Sequence, residues 1–220
     1  MRVLPIALFA AVCWSLAPPA PAKSAVLIEA EKAGQPLRLV VDRAQQRVLL
    51  TTGASRALVD LAGGAIYLQQ ADGPARRVPA RYRPGYVEPA GYRVERFGPG
   101  PMVAGHASTY YVLFDEERVC AEAMLNDWMR PFVDPAVRAL ALLEQLSAPG
   151  TGDAACAAIP FATYAAAGWP LMAGKADRPT FVTKAIRFDY QPSPGELALP
   201  AGSRDATGGE VAGWIGLPPS

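Results

Sequence analysis

The residue types with the most chemical potential lie between Gly105 and Trp128, in GHASTYYVLFDEERVCAEAMLNDW. His106 is the chain's only histidine, and Ser108 follows two positions later. On an extended chain such positions share one face, so the pair suggests a base beside a hydroxyl nucleophile. That chemistry needs an acid to orient the base, and the chain has no G-x-S-x-G nucleophile elbow. The residues favour a polar surface histidine, with a hydrolase using His106 as an alternative. Asp115, Glu116, Glu117 and Asp127 raise a second possibility, paired carboxylates acting on a glycosidic bond. Acids clustered at a turn are more simply solvated charges. DEER also lacks the alternating oxygens and turn glycine of a calcium loop. Cys120 and Cys156 are the third group. Without a C-x-x-C, and with one histidine, they make a poor zinc shell. No phosphate loop or dinucleotide fingerprint occurs. The expectation is therefore no catalytic residue, no metal and no cofactor.

The N-terminus bears on the cysteines. Arg2 precedes an apolar run from Val3 to Ala17, and Ala20-Pro21-Ala22 offers small residues for a signal peptidase. This pattern reads as a signal peptide over residues 1–22. The run is shorter than the roughly 20 residues of a membrane span. Val12 and Ala10 suit a lipid-modified Cys13 poorly, so Cys13 is assigned to the discarded peptide. Two cysteines then remain in an exported, periplasmic or secreted chain. A Cys120–Cys156 disulfide is the expected use of that pair.

Lys and Arg number 21 against 20 Asp and Glu, a net charge of +1, so no global field selects nucleic acid or an anionic membrane. A local stretch, residues 71–100, interleaves Arg76, Arg77, Arg81, Arg83, Arg93 and Arg96 with Tyr82, Tyr86 and Tyr92. Aromatic and guanidinium groups together can hold single-stranded nucleic acid. The balanced charge and export favour a solvated proline-rich loop instead. The expected partner is an apolar or lipid-like ligand or an envelope protein, with no nucleic acid. After signal cleavage the chain is not expected to be an integral membrane protein.

The elements that must position these residues are short. The chain has 22 prolines and 20 glycines, which punctuate it throughout. Strands are expected at Leu37–Asp42 and Arg47–Thr52 around an Arg43–Gln46 turn, and on both sides of Gly63-Gly64. Tyr92–Phe97 reads as a strand leaving the loop. Ser108–Asp115 and Arg118–Met124 form a hairpin, with Val119 and Ala121 on one face and Cys120 on the other. Asp134 and Pro135 resemble the cap and first residue of a helix. Val137, Leu140, Ala141, Leu143 and Leu146 then make one apolar stripe. Asp153–Ala167 suggests a second helix, interrupted at Pro160 and carrying Cys156 near its start. Thr180–Tyr190 and a short Glu196–Pro200 segment complete the strands. One β-rich domain over residues 23–205 is expected, with a loose tail at 206–220.

The order of these pieces resembles a family of exported bacterial proteins, number forty-four-twelve among the domains of unknown function. The resemblance rests on Gly105, Tyr110-Tyr111, Cys120, the helix at Ala136–Leu146, Gly168-Trp169-Pro170-Leu171 and Leu199-Pro200-Ala201-Gly202. It spans roughly residues 37–202. His106 stands where that family often has another cysteine, and the 71–100 loop is richer in proline. The resemblance implies an α+β fold. A curved antiparallel β-sheet, a LolA-like half-barrel, would have one or two helices on its concave face. It supplies a fold and a compartment, and no reaction.

A curved sheet with a helix on its concave side can enclose an apolar cavity. Tyr111, Leu113, Trp128, Phe132, Leu140, Leu143 and Trp169 are the candidate lining, unless they simply fill the core. The functional expectation is an uncharacterised periplasmic protein, a non-catalytic binding or carrier module for an apolar or lipid-like ligand. An envelope scaffold acting through the sheet edge or the 71–100 loop is the alternative.

Overall fold

The computed structural model describes residues 24–71, 73–80, 92–147, 156, 159, 161–165, 167–175 and 178–206. The expected signal peptide, Pro160 and most of the expected tail lie outside them. Six strands form a first meander: β1 (Ala25–Lys32), β2 (Gln35–Asp42), β3 (Arg47–Thr52), β4 (Ser55–Asp60), β5 (Ala65–Gln70) and β6 (Arg76–Pro79). A second meander contains β7 (Tyr92–Pro99), β8 (Thr109–Asp115) and β9 (Arg118–Asn126). Helices α1 (Arg130–Ser147) and α2 (Phe161–Ala165) follow, then β10 (Trp169–Lys175), β11 (Arg178–Tyr190) and β12 (Arg204–Asp205).

All twelve strands join one sheet in the order β12-β6-β5-β4-β3-β2-β1-β11-β10-β9-β8-β7. Strand β11 lies between β1 and β10 and so fuses the two meanders. Strand β12 runs parallel to β6, and the other pairings are antiparallel. The sheet is large, curved and unclosed.

The central strands are apolar on both faces because both are covered. Val26, Ile28, Leu39, Val41, Val48 and Leu50 enter the main core with α1. Their neighbours Leu27, Val40 and Leu49 face the other way, into a smaller cluster with Leu58 and Leu197. A strand buried on both sides reads as a continuous apolar run, as LVV and VLL do here. The segment after β11 supplies Leu197, then continues to the β6 edge, where the Ala206 amide donates to the Arg77 carbonyl at 2.8 Å.

Several sequence expectations need correction. Strand β1 was not expected, although it occupies the centre of the sheet. Trp169–Lys175, which is not among the expected strands, is strand β10. The 71–100 stretch contains β6 as well as loop. Helix α1 begins at Arg130, ahead of the expected Asp134 cap, because the Asn126 side chain accepts the Met129 amide at 3.0 Å. Pro135 therefore lies inside the helix. Cys156 sits in a turn, and α2 has only five residues. Glu196–Pro200 forms a turn and an irregular stretch rather than a strand.

The alternation expected around Cys120 is also broken. Leu113 pairs with Ala121 and Phe114 with Val119, so Cys120 is the extra residue of a β-bulge. A bulge interrupts strict alternation, leaving Cys120 and Ala121 both buried while Val119 is 54% exposed. Cys120 bonds Cys156, with their Cα atoms 4.9 Å apart and the two residues 36 positions apart in sequence. In the chain-entropy description, closing that loop contributes about 4 kcal/mol.

Candidate functional site

One end of the sheet gathers an aromatic cluster from four separate segments. Val103 and His106 exchange backbone hydrogen bonds of 3.0 and 2.9 Å, closing a tight turn between β7 and β8. Trp128 comes from the β9–α1 junction, Phe132 from the first turn of α1, and Phe188 from the end of β11. Ring centroids lie 5.2 Å apart for Trp128–Phe132, 5.6 Å for Trp128–Phe188 and 5.3 Å for Phe132–Phe188. His106 meets Phe188 edge-on at 6.4 Å. The Arg43 guanidinium, from the β2–β3 turn, lies 5.2 Å from the Phe132 centroid.

Burial divides this cluster. Phe132 and Phe188 pack against the main core, whereas Trp128 is 60% exposed. The cluster offers flat apolar faces, ring edges and one cation. Such surfaces stack on or enclose an apolar group. They supply no nucleophile.

The expected lining residues divide in the same way. Leu113, Leu140, Leu143 and Trp169 lie within the main core, and Tyr111 and Phe132 pack against it. Trp128 is separate from that core, on the rim. Trp169 belongs to an interior triad with Phe161 and Phe181, at centroid separations of 5.2–5.9 Å. Its indole N–H donates to Thr183 Oγ1 at 3.1 Å, and Thr183 Oγ1 donates to the Pro170 carbonyl at 2.9 Å. This polar tip is therefore satisfied within the protein.

A buried polar tie marks the opposite end of α1. Glu144 Oε1 accepts from Lys32 Nζ at 3.0 Å, and Oε2 accepts the Phe161 amide at 2.7 Å. One carboxylate thus joins β1, α1 and the start of α2. Burial, followed by the charges of Glu144 and Tyr92, raises the Tyr164 hydroxyl above its usual range. That hydroxyl stays protonated at neutral pH.

The residues of the catalytic alternatives make other contacts. Ser108 Oγ donates to the Pro101 carbonyl at 2.6 Å, while His106 contacts Phe188. Asp115 and Asp127 lie at opposite ends of the β8–β9 hairpin. At about 3.3 Å per residue, β9 separates them by more than about 20 Å. Glycosidase carboxylates lie within about 10 Å of each other. Arg77 and Arg93 of the 71–100 stretch make internal contacts. Arg77 pairs with Asp205 at 3.2 Å, and Arg93 pairs with Glu95 and covers Phe114 at 4.6 Å. Arg81, Arg83, Tyr82 and Tyr86 lie outside the described residues.

Phe188 and Arg43 belong to the rim but were not singled out in the sequence. Phe188 was visible only as one position in a long strand, and Arg43 only as a turn residue. Their meeting depends on β11 lying next to β1, between the two meanders. No local sequence signal specifies that neighbourhood.

No family profile matches this chain, and no curated protein matches it. A solved structure of PNGF-II in a C2 crystal form aligns with 87% of this chain at 7% identity, with a TM-score of 0.46. The aligned part is 32% of that longer chain. Among the described residues, no helix is long and apolar enough to cross a membrane.

Proposed function

We propose that this chain is an exported, non-catalytic binding or carrier module for an apolar, lipid-like ligand. In this reading the curved sheet and its helix form a LolA-like half-barrel of the forty-four-twelve family. The aromatic rim is where the ligand meets the protein. The observation that carries the reading is Trp128, 60% exposed beside the half-buried rings of Phe132 and Phe188 at one end of a largely apolar interior. The Cys120–Cys156 bond supports an oxidising compartment.

The test has two parts. Native mass spectrometry of protein purified from a bacterial periplasm is expected to show a bound apolar species. A brominated fatty acid is expected to quench tryptophan fluorescence, with most of the quenching lost in Trp128→Phe. An empty protein whose fluorescence ignores the brominated probe would overturn the reading.

A further inference from the structure

We propose that Cys156 is a thiol-exchange site: small thiols open the Cys120–Cys156 bond there, and Asp115 discriminates among them by charge. This inference is independent of the proposed ligand. Thiol–disulfide exchange requires a reachable sulfur, and its rate depends on both the attacking and the departing thiolate. The two cysteines differ in exposure. Cys120 is 5% exposed within its bulge, whereas Cys156 is only half-buried in its turn. An incoming thiolate therefore meets Cys156, and Cys120 becomes the leaving group.

Asp115 stands beside both sulfurs. A carboxylate oxygen of Asp115 and the two Sγ atoms all lie within 4.8 Å of one another. The other charges on this hairpin tip are Glu116 and Glu117 in the turn and Arg118, the register partner of Asp115. Arg93, on neighbouring β7, is engaged by Glu95 and Phe114. Among the described residues, the acids Asp115, Glu116 and Glu117 thus stand at this tip against Arg118, with Arg93 already engaged. Asp115 acts twice in this setting. It repels an anionic attacker, and it disfavours the thiolate that forms on Cys120.

The backbone supplies an independent observation. Cys156 has φ 66°, a left-handed conformation that residues with a Cβ seldom adopt.

The exchange balances with a small thiol as the named reductant. RS⁻ attacks Cys156 Sγ, an RS–S bond forms and the Cys120–Cys156 bond breaks. Cys120 leaves as a thiolate and takes a proton from water. A second RS⁻ attacks the R sulfur of the adduct, releasing RSSR and the Cys156 thiolate, which is protonated in turn. Two protein thiols are formed as two small thiols are oxidised. The favoured class is thiols whose remaining groups are neutral or cationic.

The experiment uses the oxidised, signal-cleaved full chain and compares cysteamine with 3-mercaptopropionate. Each rate is corrected for thiolate fraction and divided by the rate on a small neutral disulfide. The corrected cysteamine-to-mercaptopropionate ratio is expected to exceed unity by about threefold or more, the size of a screened charge interaction at this range. It is expected to fall towards unity in Asp115→Asn and, for the unaltered protein, in about 1 M salt. Acid-quenched adducts are expected on Cys156. A ratio near unity, a ratio unchanged by Asp115→Asn, or adducts on Cys120 would each overturn the proposal. If Asp115→Asn does not fold, the salt series and adduct mapping on the unaltered protein decide it.

Discussion

Glu196 Oε1 accepts from Arg38 Nη1 at 2.8 Å, and Oε2 accepts from Tyr190 Oη and the Ser193 amide, both at 2.9 Å. Arg38 Nη2 also donates to Tyr190 Oη at 2.7 Å, closing a small network on the outer face. Burial works against the Glu196 charge, but Arg38, Ser193 and Tyr190 outweigh it and hold the carboxyl below its usual range. A depressed folded-state pKa gives stability that is complete above the unfolded value of about 4.3 and is lost as pH falls through the folded value. Glu196→Gln is therefore expected to lower stability by about 1 kcal/mol at pH 7, given that Arg38 is partly solvated. The gap should narrow below about pH 4. Urea midpoints at pH 7 and pH 3 measure this. A gap that stays the same at both values would show that the charge is not its source. The network was not legible in the sequence, because 158 positions separate Arg38 from Glu196.

At the scale of elements, Gly168 sets how closely β10 approaches β9. Its φ is 153°, and a Cβ there would lie 2.8–2.9 Å from Asn126 C, Asn126 O and Asp127 N. These are backbone atoms, so no side chain can rotate away to make room. Gly168→Ala is expected to destabilise the fold by about 2 kcal/mol or more, through strain and displacement of Trp169. Thermal unfolding measures this directly, and an unchanged midpoint would show that the β9–β10 join can yield. The β8–β9 hairpin was readable because Thr109–Phe114 favour strand and DEE supplies a turn. The β2–β3 and β4–β5 hairpins were readable for similar local reasons. Strand β1 was harder because Glu29, Glu31 and Lys32 interrupt its apolar residues, and it follows directly on the expected signal segment. The joint burial of Cys120 and Ala121 was not legible because alternation assumes an unbroken ladder, and a bulge cannot be inferred from residue spacing. The α1 start was missed because Asn126 acts as the cap from the end of a strand. Of the rim, His106, Trp128 and Phe132 were each identifiable. Their assembly was not, because it depends on the order of strands rather than on any local pattern.

At the scale of the whole molecule, an unclosed sheet has to manage two edges and an outer face. Exposed edges invite pairing with other chains. Strand β7 is blunted by a bulge between Arg96 and Gly98 and by Arg93, Glu95 and Arg96 along its length. The β6 edge is managed differently. The chain leaves β11, is held by Glu196, inserts Leu197 among Leu27, Val40, Leu49 and Leu58, and adds β12 alongside β6. Arg77 and Asp205 reinforce that edge with an ion pair of 3.2 Å. One strap thus covers an apolar patch and occupies a strand edge, while the other eleven strands pair with one another without it. Deleting the chain from Gln191 onward is expected to leave the strand content largely intact while exposing that patch and edge. Self-association should follow. Sedimentation velocity should show mass increasing with concentration for the truncated chain at concentrations where the intact chain does not change, and Leu197→Asp should reproduce part of the effect. If the truncated chain sediments like the intact one, the outer cluster does not need its cover. The strap would then serve only the local network around Glu196.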